Sequence, residues 1–281
     1  MARTAFAFAV FLVLTALLVI LLLALKALRL PGRGAVSTVY SRLVCAAIGL
    51  RVTSTGAPVR GRPVLVVANH VSWADILAIT ATTPALFVAK SEVARWPLIG
   101  LVARARPTVF VDRERRRQTG AATADLAARL QDGEAVVLFA EGTSSDGNRV
   151  LPFRSALLGA VREEMTDMMT EAATEAGTAA GAVSVAIQPL AIAYTRLHGL
   201  PMGRQHRPLA AWYGDFDLLP HLRDFIGRGP MDVTLGWGEP LDAVTARDRK
   251  TTTRRLEQEV RSLSAGALGH DSAEPGRPRH G

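Results

Sequence analysis

The sequence predicts an α/β fold with a mixed, largely parallel sheet flanked by helices, preceded by one N-terminal transmembrane helix. Three observations support this prediction. Short β-rich runs alternate with helical stretches along most of the chain, which is typical of helices packed on a sheet. A long apolar run lies near the N-terminus. About 250 residues follow that run, enough for one sizeable domain.

The apolar run spans Ala5–Leu25 and is interrupted only by Thr15. Roughly 20 apolar residues in a helix cross the hydrocarbon core of a bilayer, whereas a cleaved signal peptide has an apolar core of about 7–15 residues. We therefore expect an uncleaved anchor. Arg3 precedes the run, and several basic residues follow it: Lys26, Arg29, Arg33 and Arg42. This bias predicts an inner-membrane protein whose domain lies in the cytoplasm.

Composition and charge exclude several classes of protein. Hydrophobic residues make up 49% of the 281 residues, too many for a disordered chain. The single cysteine, Cys45, cannot form an internal disulfide or a thiolate metal site. The net charge of +8 lies entirely within residues 1–74, which hold eight basic residues and no acidic one. Clustering beside the apolar run favours membrane lipids, and not nucleic acid, as the partner.

We divide the chain into an anchor with its basic flank (1–34), an α/β domain (35–263) and a disordered tail (264–281). Residues 170–182 are low in complexity and are predicted to be a frayed helix end or a surface loop. The predicted strands are Val64–Ala68, Ala85–Ala89, Thr108–Val111, Ala135–Phe139, Val183–Leu190, Leu209–Tyr213 and Asp232–Trp237. The predicted helices are Trp73–Thr82, Arg115–Gln131, Ser155–Glu175 and Arg247–Leu263.

The most informative stretch follows the first of these strands, where His70 precedes Asp75 by five positions. A helix is expected to begin near Ser72, which is a candidate N-cap, or Trp73. With His70 in the turn, Asp75 in the first helical turn can point back at its ring. The carboxylate would fix the tautomer and stabilise the imidazolium, leaving the other nitrogen to take a proton. By itself, a histidine before a helix is more often a capping or packed residue.

Two other predicted strands also end in polar residues. One leads into Arg113, and the other into Glu141, Gly142 and Thr143. Strand C-termini are where open α/β sheets build their sites. A base, an arginine and a Glu-Gly turn at that edge would suit an acceptor with a nucleophilic hydroxyl and a charged headgroup. Glu141 could instead be a turn carboxylate that accepts hydrogen bonds from nearby backbone N–H groups.

Other chemistries lack support in the sequence. There is no G-x-S-x-G elbow, which disfavours a serine hydrolase. Neither G-x-G-x-x-G nor a Walker A loop is present, so dinucleotide and nucleoside triphosphate sites are also disfavoured. The six histidines form no metal-binding spacing, and we expect no metal site.

Together these stretches resemble four blocks of the lysophosphatidic-acid-type (1-acylglycerol-3-phosphate) acyltransferase family. The stretch from Asn69 to Asp75 looks like its catalytic His-x4-Asp block. Phe110–Arg113, Phe139–Thr143 and Gln188-Pro189 are similar to the second, third and fourth blocks. The intervening stretch also fits, through Lys90, Trp96, Pro97 and Gly100. Two residues depart from the family pattern: Ala140 replaces a proline, and Gln188 replaces an apolar residue.

A longer resemblance points to the lyso-ornithine lipid acyltransferase branch of this family. It covers residues 139–159, 198–204 and 211–215. In that branch the acceptor is the hydroxyl of an amide-linked 3-hydroxy fatty acid, so lyso-ornithine lipid is favoured as the acceptor. Lysophosphatidic acid is the alternative, and its product would be phosphatidic acid.

The resemblance implies transfer of an acyl group from an acyl carrier protein or coenzyme A thioester to a lysolipid hydroxyl, with no cofactor. His70 would be the general base and Asp75 would orient it, while Arg113, Glu141, Gly142 and Thr143 would bind the acceptor. Backbone N–H groups near the helix start could hold the oxyanion. Two alternatives stay open: a non-catalytic membrane-tethered lipid-binding protein, and a transacylase that uses no thioester.

Overall fold

The fold, taken from a computed structural model, is a single sheet with helices on both faces. The structure describes residues 2–28, 30, 32–89, 109–110, 134–175, 185–214, 216–241 and 248–270. The helices are α1 (Ala2–Ala27), α2 (Arg33–Ile48), α3 (Ala74–Thr82), α4 (Ser155–Glu175), α5 (Leu218–Arg228) and α6 (Arg249–His270). The strands are β1 (Leu50–Thr55), β2 (Val64–Ala68), β3 (Ala85–Ala89), β4 (Val109–Phe110), β5 (Ala135–Phe139), β6 (Ala186–Leu197), β7 (Leu200–Pro201) and β8 (Met231–Trp237).

The sheet is mixed and largely parallel, as predicted. Its order is β1-β8-β6-β2-β5-β3-β4, and β7 pairs with the end of β6. The pairs formed by β6 with β8 and with β7 are antiparallel, and the other neighbours are parallel. Every residue of β2 is buried. A continuous apolar run of this kind is typical of a parallel strand covered on both faces.

Side chains alternate across the central strands and divide the core into two layers. Val66 and Ala68 face a cluster that includes residues of α1, α2, α3 and α5. Leu65 and Val67 face a second cluster formed with α4 and α6. The apolar residues of β2 therefore pack into both layers of the core, which is possible only for a strand in the middle of the sheet.

Helix α1 is long and apolar enough over Thr4–Leu25 to cross a membrane, which makes it a candidate anchor. One face of it packs on the domain, where Ala7, Leu18, Val19 and Leu22 are buried. Thr15 joins this face, because its hydroxyl lies 2.8 Å from the hydroxyl of Tyr40 in α2. The opposite face exposes large apolar side chains, among them Phe6, Val13, Leu17 and Ile20. The anchor candidate is thus also a part of the core.

Several predicted elements have the observed bounds, including β2, β3, β5 and α4. Residues 109–110 form β4, while the predicted helix Arg115–Gln131 lies outside the described residues. The predicted strand Leu209–Tyr213 is wrong, because Leu209 ends a 3-10 turn that begins at Arg207 and residues 210–213 form no strand. Pro208 lies at the start of that turn, where its missing N–H and fixed φ are tolerated.

The end of α6 and the presence of α2 also differ from the sequence-based prediction. Helix α6 continues to His270, so residues 264–270 are helical and the predicted tail begins too early. This segment contains good helix formers such as Ala265 and Leu268, and the proline-rich part of the sequence comes later. Helix α2 was not predicted, because small and polar residues, among them Gly34, Ser37 and Ser41, occupy its buried face and mask the apolar period.

Gln188 in β6 is a structural residue that joins three segments of backbone. Its side-chain oxygen accepts from the N–H of Val59 at 2.9 Å. Its amide nitrogen donates to the carbonyls of Ala57 at 2.9 Å and Gly238 at 3.0 Å. Only 1% of its surface is exposed. An apolar residue at this position could make none of these bonds, which explains in physical terms the departure from the family pattern.

We predict that Gln188→Leu destabilises the fold. The substitution leaves one N–H and two carbonyls without their partner, a loss of about 2–4 kcal/mol in the free energy of unfolding. Thermal unfolding in detergent measures the loss, and Gln205→Leu at an exposed position is the matched control. Equal melting temperatures for the two variants would contradict this assignment.

Candidate active site

The register of the two central strands places the candidate site residues side by side. Ala68 at the end of β2 pairs with Phe139 at the end of β5. His70 and Glu141 each follow two residues later. The N–H of His70 donates to Oε2 of Glu141 at 3.2 Å, and this bond joins the two turns. The expected convergence at the carboxyl edge of the sheet is therefore present for these two strands.

His70 has a defined orientation at this edge. Its Nδ1 lies 2.9 Å from Oδ2 of Asp75, and 17% of its side chain is exposed. The imidazole stacks on the ring of Phe139, with centroids 3.9 Å apart and planes 16° from parallel. Because Asp75 accepts the hydrogen from Nδ1, the lone pair of a neutral ring lies on Nε2. The predicted His70–Asp75 pair is thus formed, with one nitrogen left to take a proton.

The carboxylate of Asp75 is fully buried and accepts four hydrogen bonds. Besides His70, Oδ2 accepts from the backbone N–H groups of Val71 at 2.7 Å and Ser72 at 3.0 Å. Oδ1 accepts from the hydroxyl of Tyr194 at 2.8 Å. A buried carboxylate needs such donors to remain charged. Asp75 is therefore held as an anion facing the imidazole.

The start of α3 differs from the prediction in two ways. Trp73 is the N-cap and makes no side-chain capping bond, so Ser72 is not the cap. Asp75 in the first turn binds the preceding N–H groups of Val71 and Ser72 instead. Those two N–H groups are consequently engaged by the carboxylate and are not available to an oxyanion.

Glu141 lies beneath the turn and is only 2% exposed. Its second oxygen, Oε1, accepts from the N–H of Leu151 at 2.8 Å, so both carboxyl oxygens bind backbone N–H groups. Burial raises the pKa of Glu141 from 4.5 to about 8, although the two backbone donors act in the opposite direction. The geometry matches the turn-carboxylate alternative, in which Glu141 holds the loop beside His70.

The residues that follow Glu141 form a loop that returns to His70. Gly142 has a φ of 71°, and a Cβ there would lie 2.8 Å from Nε of Arg154. Thr143 is exposed, whereas Ser145 turns back to donate its N–H to the carbonyl of His70 at 2.9 Å. The N–H of Ala140 donates to the carbonyl of Ala68 at 3.0 Å. A proline at position 140 could not make this last bond.

Other predicted site positions are only partly described. Arg113 lies outside the described residues, as do Lys90, Trp96, Pro97 and Gly100. Trp212 lies beside the site, because its N–H donates to the carbonyl of Val71 at 2.9 Å. Its carbonyl accepts from the hydroxyl of Ser144 at 2.5 Å. His198 is exposed in the turn between β6 and β7. Of the two stretches after β6 that carry the resemblance, 198–204 and 211–215, the second therefore contacts the site through Trp212.

Sequence reasoning assigned no role to Asn69 and did not identify Tyr194, and both residues hold the site. The amide of Asn69 forms a pair of hydrogen bonds with the backbone of Ile192, at 2.8 and 3.0 Å, which extends the pairing of β2 with β6 past the strand end. Tyr194 was missed because 119 positions separate it from Asp75. Its signal was a tyrosine inside an apolar strand, since a buried phenol requires a hydrogen-bond partner.

The chain is similar to known acyltransferases. A family model described as Acyltransferase matches residues 50–193. A lyso-ornithine lipid O-acyltransferase from Brucella abortus (strain 2308) is 44% identical over 229 residues, which are 82% of this chain and 81% of that protein. One from Rhizobium meliloti (strain 1021) is 43% identical over 229 residues, 82% of this chain and 74% of that protein.

A solved structure has the same fold. The 1-acyl-sn-glycerophosphate acyltransferase from Thermotoga maritima superposes with a TM-score of 0.59, covering 98% of this chain and 97% of that one. The two sequences are 18% identical, so this likeness concerns the architecture alone.

We predict that Glu141 makes the fold less stable as pH rises. Between pH 4.5 and about 8 the folded chain holds a proton that the unfolded chain releases, so the free energy of unfolding falls across that window. The upper bound of the effect is on the order of 4–5 kcal/mol. Melting temperatures of the wild type and Glu141→Gln are measured from pH 5 to 9. The melting temperature of the wild type should fall relative to that of Glu141→Gln as pH rises.

The control for this measurement is Glu259→Gln, at an exposed position of α6. Its melting temperature should follow that of the wild type across the whole range. Parallel curves for the wild type and Glu141→Gln would show that Glu141 does not titrate between pH 5 and 9.

Proposed function

Since this chain belongs to the acyltransferase family and is a lysolipid acyltransferase, we propose that its acceptor is lyso-ornithine lipid and its donor an acyl thioester. The observation that carries the chemistry is the bond of 2.9 Å between Nδ1 of His70 and the buried carboxylate of Asp75. Support for the acceptor comes from the two relatives of that name, at 44% and 43% identity.

In the proposed mechanism, His70 is the general base. Nε2 removes the proton from the acceptor hydroxyl while that oxygen attacks the thioester carbonyl. Asp75 keeps Nδ1 protonated and stabilises the imidazolium that forms. General base catalysis of this kind is worth about 10²–10⁴-fold in rate. Loss of Asp75 would therefore act through the orientation and charge of His70.

The remaining steps balance without a cofactor. The C–S bond of the thioester breaks as the new C–O ester bond forms. The proton on Nε2 passes to the departing thiolate, which leaves as the free thiol of acyl carrier protein or coenzyme A. We propose that direct transfer occurs, with no acyl-enzyme. The products are the acylated lipid and the thiol.

For the headgroup, we propose that Arg113 binds the carboxylate of the ornithine. Thr143 is exposed in the loop that follows Glu141 and is a proposed acceptor contact, while Gly142, with its positive φ, allows the turn of this loop. Glu141 is proposed to act on the acceptor electrostatically and through the loop, since both of its oxygens bind backbone N–H groups. A cationic amine near this carboxyl would favour its charged form.

We also propose that α1 anchors the protein at the inner membrane with the domain on the cytoplasmic side. The eight basic residues of the first 74, with no acidic residue among them, support this orientation. The exposed apolar face of α1, which includes Phe6, Val13 and Ile20, is the surface available to lipid. An acceptor that stays in the membrane would then reach the site without leaving the bilayer surface.

We predict that His70→Ala abolishes acylation of lyso-ornithine lipid. Membranes carrying the wild type or the variant are incubated with labelled acyl-carrier protein, and with acyl-coenzyme A in parallel, offering lyso-ornithine lipid and lysophosphatidic acid separately. The variant should lose at least about 10²-fold in rate, because the hydroxyl loses its base. Mass spectrometry of the lipid product measures the outcome.

The matched control is His198→Asn. It removes an exposed histidine with a φ of 54°, a conformation that asparagine tolerates.

Transfer to lysophosphatidic acid alone would move the acceptor assignment to that lipid. Product formed without either thioester would identify a transacylase. Absence of transfer to both acceptors by folded wild-type protein would favour a lipid-binding role.

A further inference from the structure

We infer that Tyr194 is a positioning residue for the reaction, because its hydroxyl holds Oδ1 of Asp75 and thereby keeps Oδ2 against Nδ1 of His70. The inference rests on the proposed role of His70 as the base. It concerns a side chain on β6, far from the His70–Asp75 block in sequence, that no motif singles out.

The distribution of donors around Asp75 carries the argument. Three of the four bonds to this carboxylate end on Oδ2, from His70, Val71 and Ser72. Within the described part of the chain, the one donor to Oδ1 is Tyr194, at 2.8 Å. Removing it would leave a buried, charged oxygen without a partner. With one donor fewer, the charge of the carboxylate would be concentrated on Oδ2, and its plane would be held less firmly against His70.

The phenol is itself rigidly held. Tyr194 is 3% exposed, and its ring packs edge-on against Phe225 of α5, with centroids 6.3 Å apart and planes at 87°. Phe225 also contacts the ring of Trp73, the N-cap residue of α3, at 5.2 Å. One aromatic side chain therefore packs on both the phenol and the start of the helix that carries Asp75. Neither partner of the bond can move independently.

The protonation states of Tyr194 and its neighbours keep the phenol as the donor in its bond to Asp75. Burial, and the adjacent charge of Asp75, raise the pKa of Tyr194 well above its ordinary value, so the phenol stays protonated and donates. Burial raises the pKa of the nearby Cys45 thiol to about 12, so that group is neutral. Glu141 also lies close enough to Asp75 for their charges to interact. Tyr194 thus acts by donating a hydrogen bond and transfers no proton.

Tyr194→Phe tests this role, with Tyr40→Phe as the matched control. Tyr40 is also a buried tyrosine, and its hydroxyl lies 2.8 Å from the hydroxyl of Thr15 in α1. We expect kcat of Tyr194→Phe to fall roughly 10–100-fold with KM within about twofold, the equivalent of one hydrogen bond to a charged group. Tyr40→Phe should retain the wild-type kcat per folded protein.

The pH profile separates positioning from a merely structural role. Without the phenol, the negative charge of Asp75 is less dispersed and His70 binds its proton more tightly. The acid limb of kcat/KM should therefore move to higher pH, by about half a unit to one unit. A purely structural loss would lower kcat/KM equally at every pH.

A stronger donor should have the opposite effect. The chain has three tyrosines, so in a Tyr40→Phe/Tyr213→Phe background the label 3-fluorotyrosine enters at position 194 alone. Its more acidic hydroxyl binds Asp75 more strongly, and the acid limb should move to lower pH with kcat retained. This measurement also decides the question if Tyr194→Phe does not fold.

The assay uses whichever lysolipid the wild type acylates, so the result does not depend on lyso-ornithine lipid being the acceptor. If His70→Ala is inactive while Tyr194→Phe matches the wild type in kcat and in its pH profile, the inference is overturned and the proposed base stands. If His70→Ala is active, the proposed function fails separately. An unchanged acid limb in the fluorotyrosine protein also overturns the inference.

Discussion

The buried carboxylate of Asp75 is the constraint on which the rest of the site depends. A charge with no exposed surface is stable only when donors surround it, and here they come from the turn after β2 and from β6. These donors require the turn to close tightly before α3 and require β6 to lie beside β2. The parallel pairing of β2 with β6 is therefore as much a part of the site as His70 itself.

The second requirement is that several strands end at the same level. Because Ala68 pairs with Phe139, the residues two positions later meet, and the carboxyl of Glu141 can bind the N–H of His70. The backbone N–H of His70, which its own turn leaves unpaired, thus donates to a side chain of the neighbouring turn. Stacking of His70 on Phe139 then limits the ring to one plane. The imidazole is oriented by the sheet as well as by Asp75.

Much of this arrangement was accessible from the sequence. Continuous apolar runs identify β2 and β5, and a turn at His70 followed by a helix that begins before Asp75 predicts their contact. Long-range contacts were not accessible, since local spacing says nothing about which residue of β6 reaches Asp75. Helix α2 was also missed, because contact with α1 and α3 buries its serines and threonines in place of an apolar stripe. Glu141 allowed two interpretations, and only the positions of Leu151 and His70 distinguish them.

The candidate anchor and the candidate catalytic pair share one hydrophobic cluster. Leu18 and Leu22 of α1 belong to the same buried layer as Val71, Ala74 and Tyr194. Since α5 contacts both α1 and the rings of Trp73 and Tyr194, a shift of α1 would be transmitted to the start of α3 through packed side chains. Removing α1 would expose the partners of its buried face. The packing of α1 and the orientation of His70 are therefore mechanically linked, which suits an enzyme whose acceptor is a lysolipid.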